Sequence, residues 1–129
     1  MSSIFSRIIN KEIPAYVIAE NDEFIAFLDI TPIAIGHCLV IPKTEVDYIF
    51  DLEDPAYQKL FLFAKQVAGQ LKQAIPCRKI GVAVVGLEVP HAHIHLVPMN
   101  TIGDLNFSGT RLQLTSAEFK EVQNRIIQS

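Results

Sequence analysis

Three of the four histidines in this 129-residue chain, His91, His93 and His95, stand at every second position, separated by Ala92 and Ile94 and followed by Leu96 and Val97. A strand sends successive side chains to opposite faces. The spacing therefore predicts a strand with three imidazoles on one face and an apolar set on the other. The fourth histidine, His37, opens a second apolar run, Cys38-Leu39-Val40-Ile41. All four rings can thus converge on one patch of sheet.

Three chemistries compete for such a row. Zinc accepts neutral imidazole, and histidines two apart can pinch one ion. However, rings at the ends of the row would start roughly 13 Å apart at strand rise, which strains a three-in-line chelate. No acidic residue is interleaved, and neither cysteine is near in sequence. A purely structural role suits a lone buried histidine better than three on one face, because every buried imidazole needs a hydrogen-bond partner. The third reading uses all the rings. Histidine titrates near about 6.5, so one ring can be an unprotonated nucleophile while others donate to the oxygens of a phosphoryl group. Attack on phosphorus would give a covalent phosphoramidate that water then clears.

The elements that must position these rings are legible in outline. Ile4–Ile9 reads as a short amphipathic helix. Ala15–Glu20 and Glu23–Leu28 read as strands around the turn residues Asn21-Asp22, and Gly36 precedes a third strand stopped by Pro42. The spacing predicts a long helix from Asp54, as cap, and Pro55 to Ala74, with Tyr57, Leu60, Phe61, Ala64, Val67, Ala68 and Leu71 recurring at three- and four-residue steps. Lys79–Val85 and His91–Pro98 complete the strands, and Thr115-Ser116-Ala117-Glu118 is a capping-box pattern opening a last helix. The expected fold is α+β: a mainly antiparallel five-stranded sheet, one long helix and shorter N- and C-terminal helices, in a single domain over residues 1–129.

Composition narrows the partners. Half the residues are hydrophobic and the net charge is -3, which argues against nucleic acid or an anionic membrane surface as partner. A mean hydropathy of +0.28 points to self-association. No apolar stretch approaches the roughly 20 residues of a membrane span, and the first residues lack a signal-peptide pattern. Cys38 and Cys77 form no framework, which suits a reducing, cytoplasmic setting.

The run His91-Ala92-His93-Ile94-His95-Leu96-Val97 resembles the defining motif of the histidine-triad (HIT) superfamily. Ile4 to Pro14, Ala26 to Pro32 and Gly36 to Lys43 resemble its Hint-like branch in order and spacing. The resemblance covers roughly residues 3–99. It implies a homodimeric hydrolase without a cofactor, acting at the α-phosphorus of purine nucleoside 5′-phosphate conjugates through a nucleotidylated His93. It further implies phosphate contact by His95, orientation of the nucleophile by His91, support from His37, and a ribose contact at Asp29. Ile4, Phe5, Ile8, Phe27 and Ile30 would wall a purine pocket. A purine-nucleotide-binding protein with little turnover and a dinucleoside polyphosphate hydrolase remain alternatives.

Two departures stand out from that pattern. Many bacterial relatives carry a structural zinc site built on Cys-x-x-Cys and a histidine after Pro-Lys, and the corresponding positions here are Ser3, Ser6 and Glu45. Hydroxyls hold zinc poorly, so no metal is expected. The loop before the triad, Val85-Gly86-Leu87-Glu88-Val89-Pro90, has Leu87 and Glu88 where the family offers an amide and a hydroxyl, and it lacks the family's Asn. The nucleophile is untouched, but the leaving-group side is altered.

Overall fold

The computed structural model describes residues 3–129. Its elements run α1 (Ile4–Ile9), β1 (Val17–Glu20), β2 (Phe24–Leu28), β3 (Cys38–Pro42), α2 (Asp54–Ala74), β4 (Lys79–Ala83), β5 (Ile94–Met99) and α3 (Ser116–Ile127), with single 3-10 turns at Ile49–Asp51 and Ile102–Asp104. The five strands form one antiparallel sheet in the order β1-β2-β3-β5-β4. The chain has the expected α+β architecture, with one long helix and shorter N- and C-terminal helices beside a five-stranded antiparallel sheet.

Local chemistry explains the junctions. Asn21 Oδ1 accepts from the backbone N–H groups of Glu23 and Phe24 at 2.9 and 2.8 Å, which closes the β1–β2 hairpin. Gly36, at a φ of 91°, turns the chain into β3, and a Cβ there would lie 3.0 Å from both Leu71 and Ile75. Thr115 and Glu118 form the reciprocal capping box at α3. At α2 the cap is Glu53 rather than Asp54, which occupies the first turn and favours the positive helix end.

Both faces of the central strands are buried, and strand parity sorts them. Phe24, Ala26, Leu28, Cys38, Val40, Ile94 and Leu96 face α2 and α3, against Leu60, Phe63, Val67, Leu71, Phe119 and Ile126. Ile25, Phe27, Leu39 and Ile41 face the other way, against Phe5 of α1, with Ile8, Ile9, Ala15, Val17 and Val89 at the edges. That face holds the site.

β5 begins at Ile94, not at His91. The N–H of His91 bonds to Val89 O and that of Ala92 to Val46 O, at 2.8 and 2.6 Å. These bonds draw the segment away from β3, which pairs with β5 only over Cys38–Val40. Ala92 nevertheless packs on the helix side with Ile94 and Leu96, and Phe5 stands edge-on to both His91 and His93, so the three histidines keep one face although the strand itself begins after His93. β4 likewise stops at Ala83, before the loop that flanks the cleft.

Candidate active site

Leu39 pairs across the sheet with His95, so the two share a face. His93 and His37, each two residues from this pair along its own strand direction, follow the same parity. The rings of His93 and His95 lie 4.8 Å apart between centroids. Both line a cleft of about 360 Å³, together with Ile4, Phe5, Asp29, Ile30 and the loop Val85–Val89.

Hydrogen bonds assign each ring its tautomer. The N–H of Ile33 donates to His37 Nδ1 at 3.1 Å, so the proton of neutral His37 sits on Nε2. That Nε2 donates to His95 Nδ1 at 2.9 Å, which leaves the His95 proton on Nε2. His93 Nδ1 donates to the carbonyl of His91 at 2.7 Å, so its Nε2 carries a lone pair. Among the described residues no buried side-chain N or O lacks a partner, and neither Nε2 has one within the protein. Both therefore open to the cleft: a nucleophile and a donor side by side.

Burial enforces neutrality on the supporting rings. Desolvation pushes His37 down to about 4, against the opposing pull of Asp29, whose Oδ2 lies 3.6 Å from Nε2. His95 is pushed down to about 3, chiefly by burial and then by the neighbouring His93 and His37. His91 is also lowered by burial. An uncharged His95 is a hydrogen-bond donor toward phosphate without carrying its own counter-charge. Asp29, His37 and His95 bring ligand-type atoms within 4.8 Å of one another, yet the shared proton between the rings occupies the lone pairs that an ion would need.

His91 lies outside the cleft. Its ring is fully buried, with Nε2 donating to Pro42 O at 2.8 Å and Nδ1 facing the Ser3 hydroxyl at 2.9 Å. It reaches His93 through its backbone carbonyl. Ser3 N and Ser6 Oγ both donate to Glu45 Oε1, at 2.6 and 2.7 Å, and Ser3 Oγ caps α1 through Ser6 N. The Ser3, Ser6, Glu45 and His91 positions thus come together in a set that hydrogen bonds already complete. The structural zinc of many bacterial relatives does not fit here: the His91 lone pair accepts from Ser3 Oγ, Ser3 and Ser6 offer only hydroxyls, and Glu45 Oε1 is engaged by both serines. Those two bonds from Ser3 N–H and the Ser6 hydroxyl hold Glu45 down to about 2.

The expected purine wall is only partly realised. Ile4 and Ile30 line the cleft and are 48% and 64% exposed, which leaves apolar surface for a ligand. Phe5 stands edge-on to His93 at 5.1 Å. Phe27 does not reach the cleft; it is buried behind Phe5, ring to ring at 5.5 Å. Ile8 is one helical turn beyond Ile4 and lines a separate groove with Ile13 and Val17. Asp29 reaches the cleft, with Oδ1 accepting from Thr31 N and Oγ1 at 2.8 and 3.1 Å.

Sequence reasoning missed Leu39, Phe107 and Arg111, which also line the cleft. The last two come from an irregular tail without periodicity. The one available cue was charge, because Arg111 is the sole Lys or Arg between Lys79 and Lys120.

Residues 10–102 match the HIT domain family. The chain belongs to the HIT family. It is 34% identical over 131 aligned positions to an uncharacterized HIT-like protein of Borreliella burgdorferi, covering 95% of this chain and 94% of that one. It is also 35% identical over 96 positions to an adenosine 5′-monophosphoramidase of Saccharomyces cerevisiae, covering 74% and 61% respectively. Among solved structures, a Hit-like protein from Bartonella henselae involved in cell-cycle regulation superposes with a TM-score of 0.86 at 26% identity, over 98% of this chain and 95% of that one. In this HIT protein no helix among the described residues is long and apolar enough to cross a membrane.

Proposed function

We propose that this HIT protein hydrolyses purine nucleoside 5′-phosphate conjugates, phosphoramidates or related species, at the α-phosphorus through a covalent intermediate on His93. The observation that carries the reading is the tautomer chain, which presents the His93 Nε2 lone pair beside the His95 Nε2–H in one cleft. The relatedness to a yeast adenosine 5′-monophosphoramidase supports the same chemistry.

In this mechanism the His93 Nε2 lone pair attacks phosphorus, and the bond to the leaving group breaks with its electron pair. The leaving group takes a proton from solvent. The His93 imidazolium that results keeps its Nδ1–H on the His91 carbonyl, which stabilises the positive ring. His95 donates to a non-bridging oxygen as its charge shifts. Water then attacks phosphorus and gives up a proton to solvent, the P–N bond breaks with its electron pair returning to His93 as the neutral ring, and the nucleoside monophosphate is released. Asp29 accepts from ribose hydroxyls, and Ile4, Phe5 and Ile30 cover the base.

We further infer a homodimer in the cytoplasm. β4 is an edge strand, and Val82, Val84 and Val85 on and beyond it are exposed; pairing would satisfy the edge. Mass in solution is expected near twice 14.4 kDa, and a monomer at micromolar concentration would oppose this.

The deciding experiment combines adenosine 5′-phosphoramidate turnover with acid-quench trapping of the adduct. His93→Ala is expected to lose several orders of magnitude in rate while still binding AMP, and wild-type-like turnover in that variant would end the covalent mechanism.

A further inference from the structure

Arg111 is held in an unusual way for a surface cation. Its Nη1 donates to Thr31 O at 2.7 Å and its Nη2 to Phe107 O at 3.1 Å. The guanidinium carbon stands 5.8 Å from the Phe107 ring centre, and the same ring leans on His95 at 4.6 Å. The next residue is pinned independently, Leu112 N to Pro32 O at 2.8 Å. Among the described residues the ion pairs involve His37, Lys43 and Lys59, and none takes Arg111. An acidic chain therefore fixes one guanidinium at its cleft with a minority of its five N–H groups used.

We propose that Arg111 is a specificity-determining residue that receives a second anionic group, phosphate or sulfate, on the nucleotide whose reacting phosphorus meets His93. The inference rests on the proposed function and deepens it. The Phe107 ring touches both His95 and the Arg111 guanidinium, and all three line the cleft, so a nucleotide whose reacting phosphate meets His95 brings a neighbouring group within reach of Arg111. The two carbonyl bonds fix the planar fork, and the remaining N–H groups suit the oxygens of a phosphate or sulfate. Of the residues lining the cleft, Arg111 is the one guanidinium or ammonium, beside the carboxylates Asp29 and Glu88, so it is the group that offers a second anion a permanent counter-charge. The second anion comes either from the leaving group, as a β-phosphate or sulfate, or from the ribose, as a 2′- or 3′-phosphate.

The test compares wild type, Arg111→Gln and Arg111→Lys by calorimetric titration with AMP, ADP, adenosine 2′,5′-bisphosphate and adenosine 3′,5′-bisphosphate. In parallel, kcat/KM is measured on adenosine 5′-phosphoramidate and adenosine 5′-phosphosulfate. In Arg111→Gln, affinity for at least one ligand with a second phosphate is expected to fall roughly 10- to 100-fold further than affinity for AMP. Selective loss on ADP and the phosphosulfate assigns the leaving-group side, and selective loss on a bisphosphate assigns the ribose side. Arg111→Lys keeps the charge without the fork and should recover part of the difference. Equal losses on all ligands, or none, would overturn the proposal. A protein that turns over neither substrate yet shows the selective loss overturns the hydrolase reading and keeps this one. Failure to bind any of the nucleotides overturns both.

Discussion

His37 Nε2 donates to His95 Nδ1 at 2.9 Å, and that single bond sets which nitrogen of His95 faces the substrate. Without it the His95 ring is free to protonate Nδ1 and turn a lone pair toward an anionic oxygen. His37→Ala is therefore expected to lower kcat by about 10²-fold, the usual cost of losing one oriented donor. The KM for an AMP-amidate should change less. A loss confined to KM would show that His37 serves the pocket's shape rather than the tautomer.

Stability should fall steeply in mild acid. Folded His37 and His95 are pushed down to about 4 and about 3, against about 6.5 for the unfolded ring. Between those values the unfolded chain binds protons that the folded chain refuses, so unfolding becomes easier as pH falls. The stabilising contribution is complete above about pH 6.5, declines toward pH 4 and levels off below about 3. Each ring that stays neutral costs roughly 2 kcal/mol of stability by pH 5, and Tm measured from pH 7 to 5 should drop on the order of 10 °C. A flat profile would mean that the rings are charged in the fold.

The architecture was readable because strand parity and helical spacing are strong signals. Alternation placed His91, His93 and His95 on one face, and the capping box located α3. His91 keeps that face, beside Phe5, but lies outside the cleft: its segment is held by backbone bonds to Val89 and Val46, which no periodicity encodes. Phe27 and Ile8 are apolar residues in the right elements, but depth decides their role, and depth depends on what covers a face. Arg111 and Phe107 reach the site through a tail shaped by isolated carbonyl contacts, so spacing could not reveal them.

Glu45 anchors α1 by accepting from Ser3 N and Ser6 Oγ, and α1 carries Ile4 and Phe5 to the cleft. Glu45→Ala is expected to lower Tm by a few degrees and to raise KM for the nucleotide more than it lowers kcat. Ser3→Ala also removes the α1 cap, at about 1 kcal/mol. Chelator treatment should leave Tm and activity of the wild type unchanged. A large chelator-induced loss would contradict the hydrogen-bonded anchor and require a metal in its place.

Leu87 limits turnover on this reading. It lines the cleft from the Val85–Val89 loop and is 89% exposed, so it is not core and its replacement should not cost the fold. A leucine there offers no donor to the phosphate oxygens, whose charge shifts as the leaving group departs. One such donor is typically worth on the order of 10²-fold in rate when it is already oriented. A glutamine introduced on an exposed loop is less well held, so Leu87→Gln should raise kcat on adenosine 5′-phosphoramidate by about tenfold at most. AMP affinity should move less, because ground-state binding leans on Asp29, Ile4 and Ile30. Steady-state kinetics beside a melting curve separate the outcomes. Unchanged turnover in a folded variant would refute the idea and direct attention to Glu88 or a backbone N–H near Gly86 as the group that meets the departing side of the phosphate.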